Sequence, residues 1–586
     1  MRLFVVSALF LLLRVPVFAQ INIAGEWVGR YHEDQVDRVP GDVNGDYTGV
    51  PLNDAARRYA GVWDVSRIGV LEHQCQPWGA ALIWRGPHQF RIWDTKNPDS
   101  QEVIAYEMFY GHFMQRRTIW MDGRPHPPAY APHTFMGFST GRWNGDILTV
   151  TTTHLKKEYF RRSGIPASDQ MTMVEYFTRH GNLLSHVTIA TDPVYLTEPF
   201  ISSEDFVYMD RGNQNWIYNC EYTNETGSDK YRVAHWLPGK NEFVDDWAAK
   251  HGIPLEAAWG GAESLYPEYQ PKLEAALVNK TPLTVRAESQ PAHVPADRQI
   301  PQGEIKTVHV QGNVYMLVGA GANIAVNVGD QGIIVVDTGN ADMGDKVLAA
   351  IRQISDKTIR AVINTHAHAD HTGANEQISL AGKSVNGNPA TIMASEAVLA
   401  QMTEEKRPIS ARPLNTFFDD QRDFPFDDEA VFLRQLPNGH SGGDTFVYFR
   451  ASNVVVAGDL FLTTTYPVID SKLGGGLQGF IDGLAAIMDV TVPKHHQDGG
   501  TYVIPGHGRI SDEADVVEYR DMIVKVRDRL QDAIERGLTL AQVKAEKPTL
   551  DFDRRYGSDT GPWTTDMFIE AAYNDLRQSR QGSNRP

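Results

Sequence analysis

Residues 365–371 read Thr-His-Ala-His-Ala-Asp-His, directly after the apolar stretch Ala361-Val362-Ile363. A strand that ends in such a loop delivers imidazole and carboxylate donors to one point, which is metal-binding chemistry. More donors close apolar stretches elsewhere: Asp337 after Ile333-Ile334-Val335-Val336, and His440 within Gly439-His440-Ser441-Gly442. Asp459 follows Val454-Val455-Val456-Ala457-Gly458, and His507 follows Tyr502-Val503-Ile504-Pro505-Gly506. A loop of solvated histidines would account for the first cluster but not for this repeated placement at strand ends.

In motif and in order, the stretch from about Glu304 to Asn574 resembles the metallo-β-lactamase superfamily, with Asp337 standing at the first motif. The resemblance implies an αββα sandwich with its site at the sheet edges. It also implies one metal on His366, His368 and His440, a second on Asp370, His371 and His507, and Asp459 bridging the two. Asp337 would orient a ligand from behind. β-Lactamases with a cysteine at the bridging position often carry a lysine three residues later, whereas this chain has Asp459 and Leu462. Antibiotic hydrolysis is therefore not the expectation, and the all-His/Asp set resembles thioesterase, lactonase or sulfatase relatives instead.

Six nitrogen and carboxylate donors plus a bridging carboxylate suit two borderline divalent cations, zinc first, with iron or manganese admitted by the harder ligands. Two such ions about 3.5–4 Å apart can share a hydroxide, the expected nucleophile, while polarising the scissile carbonyl and stabilising the departing group. Asp370 and Asp337 are the catalytic candidates, the first orienting the attacking group and the second a ligand. The expectation is an exported dinuclear-metal hydrolase acting on an ester, thioester, lactone or amide of a small molecule. Two alternatives stand beside it: an iron-dependent oxidoreductase on the same fold, and a carbohydrate- or partner-binding protein working through its N-terminal half.

The elements that must position these residues change grammar along the chain. Residues 20–280 are rich in aromatic and β-branched residues, with strands expected at 90–93, 103–110, 117–121, 147–152, 171–178 and 183–190. Asp122-Gly123, Asn144-Gly145-Asp146 and Gly181-Asn182 read as hairpin turns, so a mostly-β domain, an antiparallel sandwich or barrel, is expected. Pro282, Pro291, Pro295 and Pro301 mark 281–303 as an interdomain linker, and 304–586 as the catalytic domain. There, short strands alternate with helical periods, and Val516, Tyr519, Ile523, Val526, Leu530 and Ala533 define an amphipathic helix with Ser511 as its N-cap. Leu473-Gly474-Gly475-Gly476-Leu477 is expected to form a lip of the substrate pocket, and His495-His496 to lie near the cleft without a catalytic role.

At the amino terminus Arg2 precedes the apolar run Leu3 to Leu13, and Val17-Phe18-Ala19 ends it on a small residue, the pattern of a signal peptide over residues 1–19. Arg14 breaks the run below the length of a spanning helix, so no stable membrane insertion is expected after cleavage, and the mature chain should be periplasmic or secreted. A formal charge of −18 over 586 residues would repel a phosphate backbone and excludes nucleic acid as the expected partner, leaving a small-molecule substrate. Cys75 and Cys220 are the two cysteines; a disulfide and two buried thiols both remain open.

Overall fold

The computed structural model describes residues 21–30, 44–86, 89–209, 217, 219–223, 229–279, 293–417, 420–494 and 499–583. The expected leader and His495-His496 lie outside the described residues.

The N-terminal half closes into a barrel. Its strands are β1 (Gly25–Gly29), β2 (Gln89–Lys96), β3 (Val103–Tyr110), β4 (Gln115–Trp120), β5 (Phe138–Asn144) and β6 (Ile147–Thr153), then β9 (Thr172–His180), β10 (Leu183–Thr191) and β11 (Phe200–Tyr208). Strands β7 (Glu158–Arg161) and β8 (Ile165–Ala167) form a separate small sheet. The barrel order is β1-β11-β10-β9-β6-β5-β4-β3-β2, so β1 pairs with both β2 and β11 and no sheet edge is left open. Of the two architectures expected, the barrel is the one formed.

Gly145-Asp146 and Gly181-Asn182 are two-residue turns joining β5 to β6 and β9 to β10, with both glycines at positive φ as such turns require. Asp122-Gly123 departs from expectation. After β4 the chain crosses over and enters β5 parallel to β4, a connection that needs a long excursion rather than a hairpin. The interior is filled, not hollow: Trp84 packs against Phe90, Tyr110, Phe177 and Phe206, and the buried Arg117 guanidinium bonds Glu175 at 2.9 Å. A disulfide joins Cys75 to Cys220, whose Cα atoms are 5.4 Å apart across 145 residues.

The C-terminal half holds two sheets. One is β12 (Lys306–Gln311), β13 (Val314–Ala320), β14 (Ala322–Val328), β15 (Ile333–Val336), β16 (Ile359–Ile363), β17 (Thr391–Ser395) and β18 (Asn415–Phe417), in that order. The other is β19 (Gln421–Phe426), β20 (Glu429–Gln435), β21 (Thr445–Phe449), β22 (Val454–Leu462), β23 (Tyr502–His507) and β24 (Ser511–Asp512). Alternation along each strand splits its side chains between two layers. Ile334 and Val336 of β15 join Val447, Val454 and Ile504 between the sheets, while Ile333 and Val335 join Val347, Ile351 and Ile378 under the helices. Helices Leu477–Val490 and Glu513–Glu535 cover the second sheet, completing an αββα sandwich.

Helix Glu513–Glu535 starts one residue later than expected: Asp512, not Ser511, is its N-cap, in a capping box with Asp515. Its buried face is also partly charged. Asp521 binds Arg67 and His73 of the barrel half, each at 2.8 Å, and Lys156 reaches Asp512 at 2.8 Å and Asp515 at 2.6 Å.

The described part of the expected linker, 293–303, is not a free tether. It forms the 3-10 turn Ala296–Arg298, and the buried Asp297 pairs with Arg555 at 2.8 Å. Arg555 also pairs with Asp169 of the N-terminal half at 2.6 Å, and Asp169 pairs with Arg509 at 3.1 Å. Proline content signals an irregular backbone, but these ion pairs fix it in place.

Candidate metal centre

Each candidate ligand leaves the end of a sheet strand or the loop beside it. The loop after β16 carries His366, His368, Asp370 and His371; Asp337 follows β15; His440 lies between β20 and β21; and His507 ends β23. Asp459 sits within β22 rather than beyond it. The structure brings all seven expected ligand residues together. Donor atoms of His366, His368 and His440 lie within 4.8 Å of one another, as do those of Asp370, His371 and His507, and those of His366, His371 and Asp459. Asp459 stands between the groups, its Oδ2 3.7 Å from His440 Nε2 and its Oδ1 3.2 Å from His371 Nε2 and 3.6 Å from His507 Nε2.

Hydrogen bonds behind the rings set which nitrogen is bare, the tautomers following from the network. Thr365 Oγ1 donates to Asp337 Oδ2 at 2.7 Å, so at 3.1 Å from His366 Nδ1 it accepts, leaving His366 Nε2 without a proton. His371 donates through Nδ1 to Asp337 Oδ2 at 2.7 Å, leaving its own Nε2 bare. His440 donates through Nδ1 to the Val468 carbonyl at 2.6 Å, and His368 through Nε2 to Asp470 Oδ2 at 3.2 Å. His440 Nε2 and His368 Nδ1 then face each other as lone pairs at 2.8 Å.

Bare imidazole nitrogens and carboxylate oxygens turned toward one another repel unless a cation lies among them. His366 Nε2, His371 Nε2 and Asp459 Oδ1 are buried with no hydrogen-bond partner, which in a folded protein calls for a ligand. The residues present therefore fit divalent metal ions, and would hold them through nitrogen and oxygen donors only.

Burial pushes the His366 imidazole well below its usual range. For His371 burial acts in the same direction, but the Asp459 and Asp337 carboxylates outweigh it and raise the group well above that range, so a positive charge is called for at Nε2, which a bound cation would supply in place of a proton. Asp370 is opposed by burial too, yet its hydrogen bond with His507 brings it down to about 2, so its half-buried carboxylate is ionised at neutral pH.

Asp337, expected among the catalytic residues, lies behind the centre and 1% exposed, so it acts through His371 and Thr365 rather than on a bound molecule. Its backbone has φ +61°, a left-handed conformation unusual for aspartate, which turns the chain sharply out of β15. The glycine-rich stretch 473–477 also departs from expectation. It braces the His440 loop instead of forming a lip of the cleft: Gly442 N–H donates to the Leu473 carbonyl at 2.7 Å and Gly476 N–H to Gly439 at 2.9 Å. A Cβ on Gly475 would fall 2.2 Å from the His440 carbonyl oxygen, so glycine is required by that approach. Asp470, Val468 and Thr365 were not singled out from sequence, because an orienting partner has no motif of its own.

The centre opens onto a cleft of about 540 Å³. His368, Asp370, His440, Asp459 and His507 line it, and Arg298, Ile300, Val468, Pro562 and Trp563 contribute from other segments.

Residues 310–508 match the family described as Metallo-beta-lactamase superfamily. A curated relative, the linear primary-alkylsulfatase of Pseudomonas sp. (strain ATCC 19151), is 26% identical over 254 residues, covering 36% of this chain. The aligned part of the chain spans about half of that relative's length, 46%. Among solved structures, the metallo-beta-lactamase from Pontibacter korlensis is 16% identical with a TM-score of 0.31, over 38% of this chain and 99% of that one. The stereoselective inverting sec-alkylsulfatase from Pseudomonas sp. is 15% identical with a TM-score of 0.38, over 50% of this chain and 53% of that one. The ligand motifs, in family order on an αββα sandwich, all fall within the residues that match the metallo-β-lactamase superfamily, 310–508.

Proposed function

We propose that the chain is a dinuclear metal-dependent hydrolase that cleaves an ester-class bond of a small molecule. The observation that carries this reading is the set of bare, buried donor atoms converging at the floor of an open cleft. Two divalent cations held there, zinc in the first instance, would supply Lewis acidity and an activated water. The chain's own residues do the rest. Asp337, Asp470 and the Val468 carbonyl hold the imidazole rings in one orientation, which limits reorganisation during reaction. Asp370, ionised and half-buried in the cleft wall, can accept a hydrogen bond from a water beside it and orient that water toward a bound substrate.

The curated relative is named for a primary alkyl sulfate, which adds sulfate esters to the carboxylic esters, thioesters, lactones and amides already under consideration. Export to an oxidising compartment is supported by the Cys75–Cys220 disulfide and by the leader-like start of the chain.

The test is metal analysis joined to a substrate panel covering those bonds. About two metals per chain with turnover lost on chelation is the expected result. Protein that retains two metals and cleaves no member of the panel would overturn the reading, and stoichiometric iron with redox turnover would replace it.

A further inference from the structure

Arg298 is the one lysine or arginine among the described residues lining the cleft. It belongs to the segment expected to be a linker, and its guanidinium is held in place by carbonyls alone. Nε donates to Thr464, Nη1 to Gly557 at 2.8 Å and Nη2 to Arg555 at 2.9 Å. These bonds use three of five N–H groups and leave one on each Nη. No carboxylate among the described residues pairs with it: the neighbouring Asp297 is taken by Arg555, itself shared with Asp169. Burial, with Arg555 close by, brings the group down to about 10, so it stays charged at neutral pH.

Trp563 also lines the cleft, so the wall around Arg298 is partly aromatic. A guanidinium with no carboxylate paired to it among the described residues, and with two N–H groups unused, offers donors only. Around them Ile300, Val468 and Pro562 are apolar.

We propose that Arg298 forms an anion subsite of the cleft, so that the molecule bound there presents carboxylate or sulfate oxygens to this wall. Its aliphatic portion lies against Ile300, Val468 and Pro562. The inference rests on the hydrolase reading only in calling that molecule a substrate or product.

Calorimetric titration of the full chain with octanoate, octyl sulfate and octan-1-ol tests it, before and after chelation of metal. In the chelated wild type one or both anions bind tighter than the alcohol by about tenfold or more, the range for hydrogen bonds to a charged group. Tighter octyl sulfate assigns a sulfate site, and tighter octanoate a carboxylate site. Arg298→Gln brings the ratio to about one, and Arg298→Lys restores part of it. Equal affinity for alcohol and anions in the chelated wild type overturns the proposal, as does an unchanged ratio in folded Arg298→Gln. If Arg298→Gln does not fold, the wild-type ratio and Arg298→Lys decide. Because no turnover is needed, a silent hydrolysis panel leaves this result intact.

Discussion

Asp337 Oδ2 accepts from both His371 Nδ1 and Thr365 Oγ1, each at 2.7 Å, and through Thr365 it also fixes the ring of His366. One buried carboxylate thus sets the bare nitrogen of two candidate ligands whose ring centroids lie 4.1 Å apart. Asp337→Asn should weaken metal retention by about 10- to 100-fold, the range for partners that orient metal-binding histidines. Competition with a chelator of known affinity measures it. Unchanged affinity would mean that the ring orientations are held by packing alone.

His366 belongs to two of the three donor groups and Asp459 to the group that His366 and His371 join to the others, so His366→Ala and Asp459→Ala each remove a donor from the centre. Both should reduce bound metal from about two per chain and bring metal-dependent turnover to background. The melting temperature of the chelated variants should stay close to that of chelated wild type, since the αββα core does not depend on either side chain. Elemental analysis of the purified variants checks the first part, and thermal melting the second.

Among the described residues of the barrel half, Asp169 is the one ion-pair partner of Arg509 and Arg555, and all three are buried. Its removal leaves two guanidiniums short of a counter-charge, and breaking a buried pair in this way costs about 3–5 kcal/mol. Asp169→Ala should therefore lower the denaturant midpoint markedly. A drop no larger than that of an exposed substitution such as Asp54→Ala would show the network to be dispensable.

Glu513 is buried and pushed up to about 8 by that burial. A carboxyl raised in the folded state contributes stability in full below its unfolded value of about 4.5 and loses it as pH rises through about 8. Wild type should thus lose stability across that window, by an amount on the order of a few kcal/mol. Glu513→Gln should flatten the profile, becoming the more stable form at pH 9. Melting curves at pH 5, 7 and 9 read this directly, and parallel profiles would refute it.

The ligand order, the strands that deliver them and the layered C-terminal sandwich were legible in the residues, because each signal is local. Donors at 366–371 share one loop, and alternation in Ile333-Ile334-Val335-Val336 already assigns neighbours to opposite faces. The turns at Gly145 and Gly181 were legible for the same reason, whereas Asp122-Gly123 misled because turn chemistry alone does not say which strand comes next. Barrel closure depends on β1 meeting β11 across most of the N-terminal half, and the pairing of Cys75 with Cys220 on a fold that brings them within reach. Arg298 reaches the Thr464 carbonyl across 166 residues and Gly557 across 259, so its place at the cleft has no trace in local pattern. Sequence determined which side chains could bind metal. Only the tertiary structure decided which nitrogens are bare and which charges stay unpaired, because both depend on partners distant along the chain.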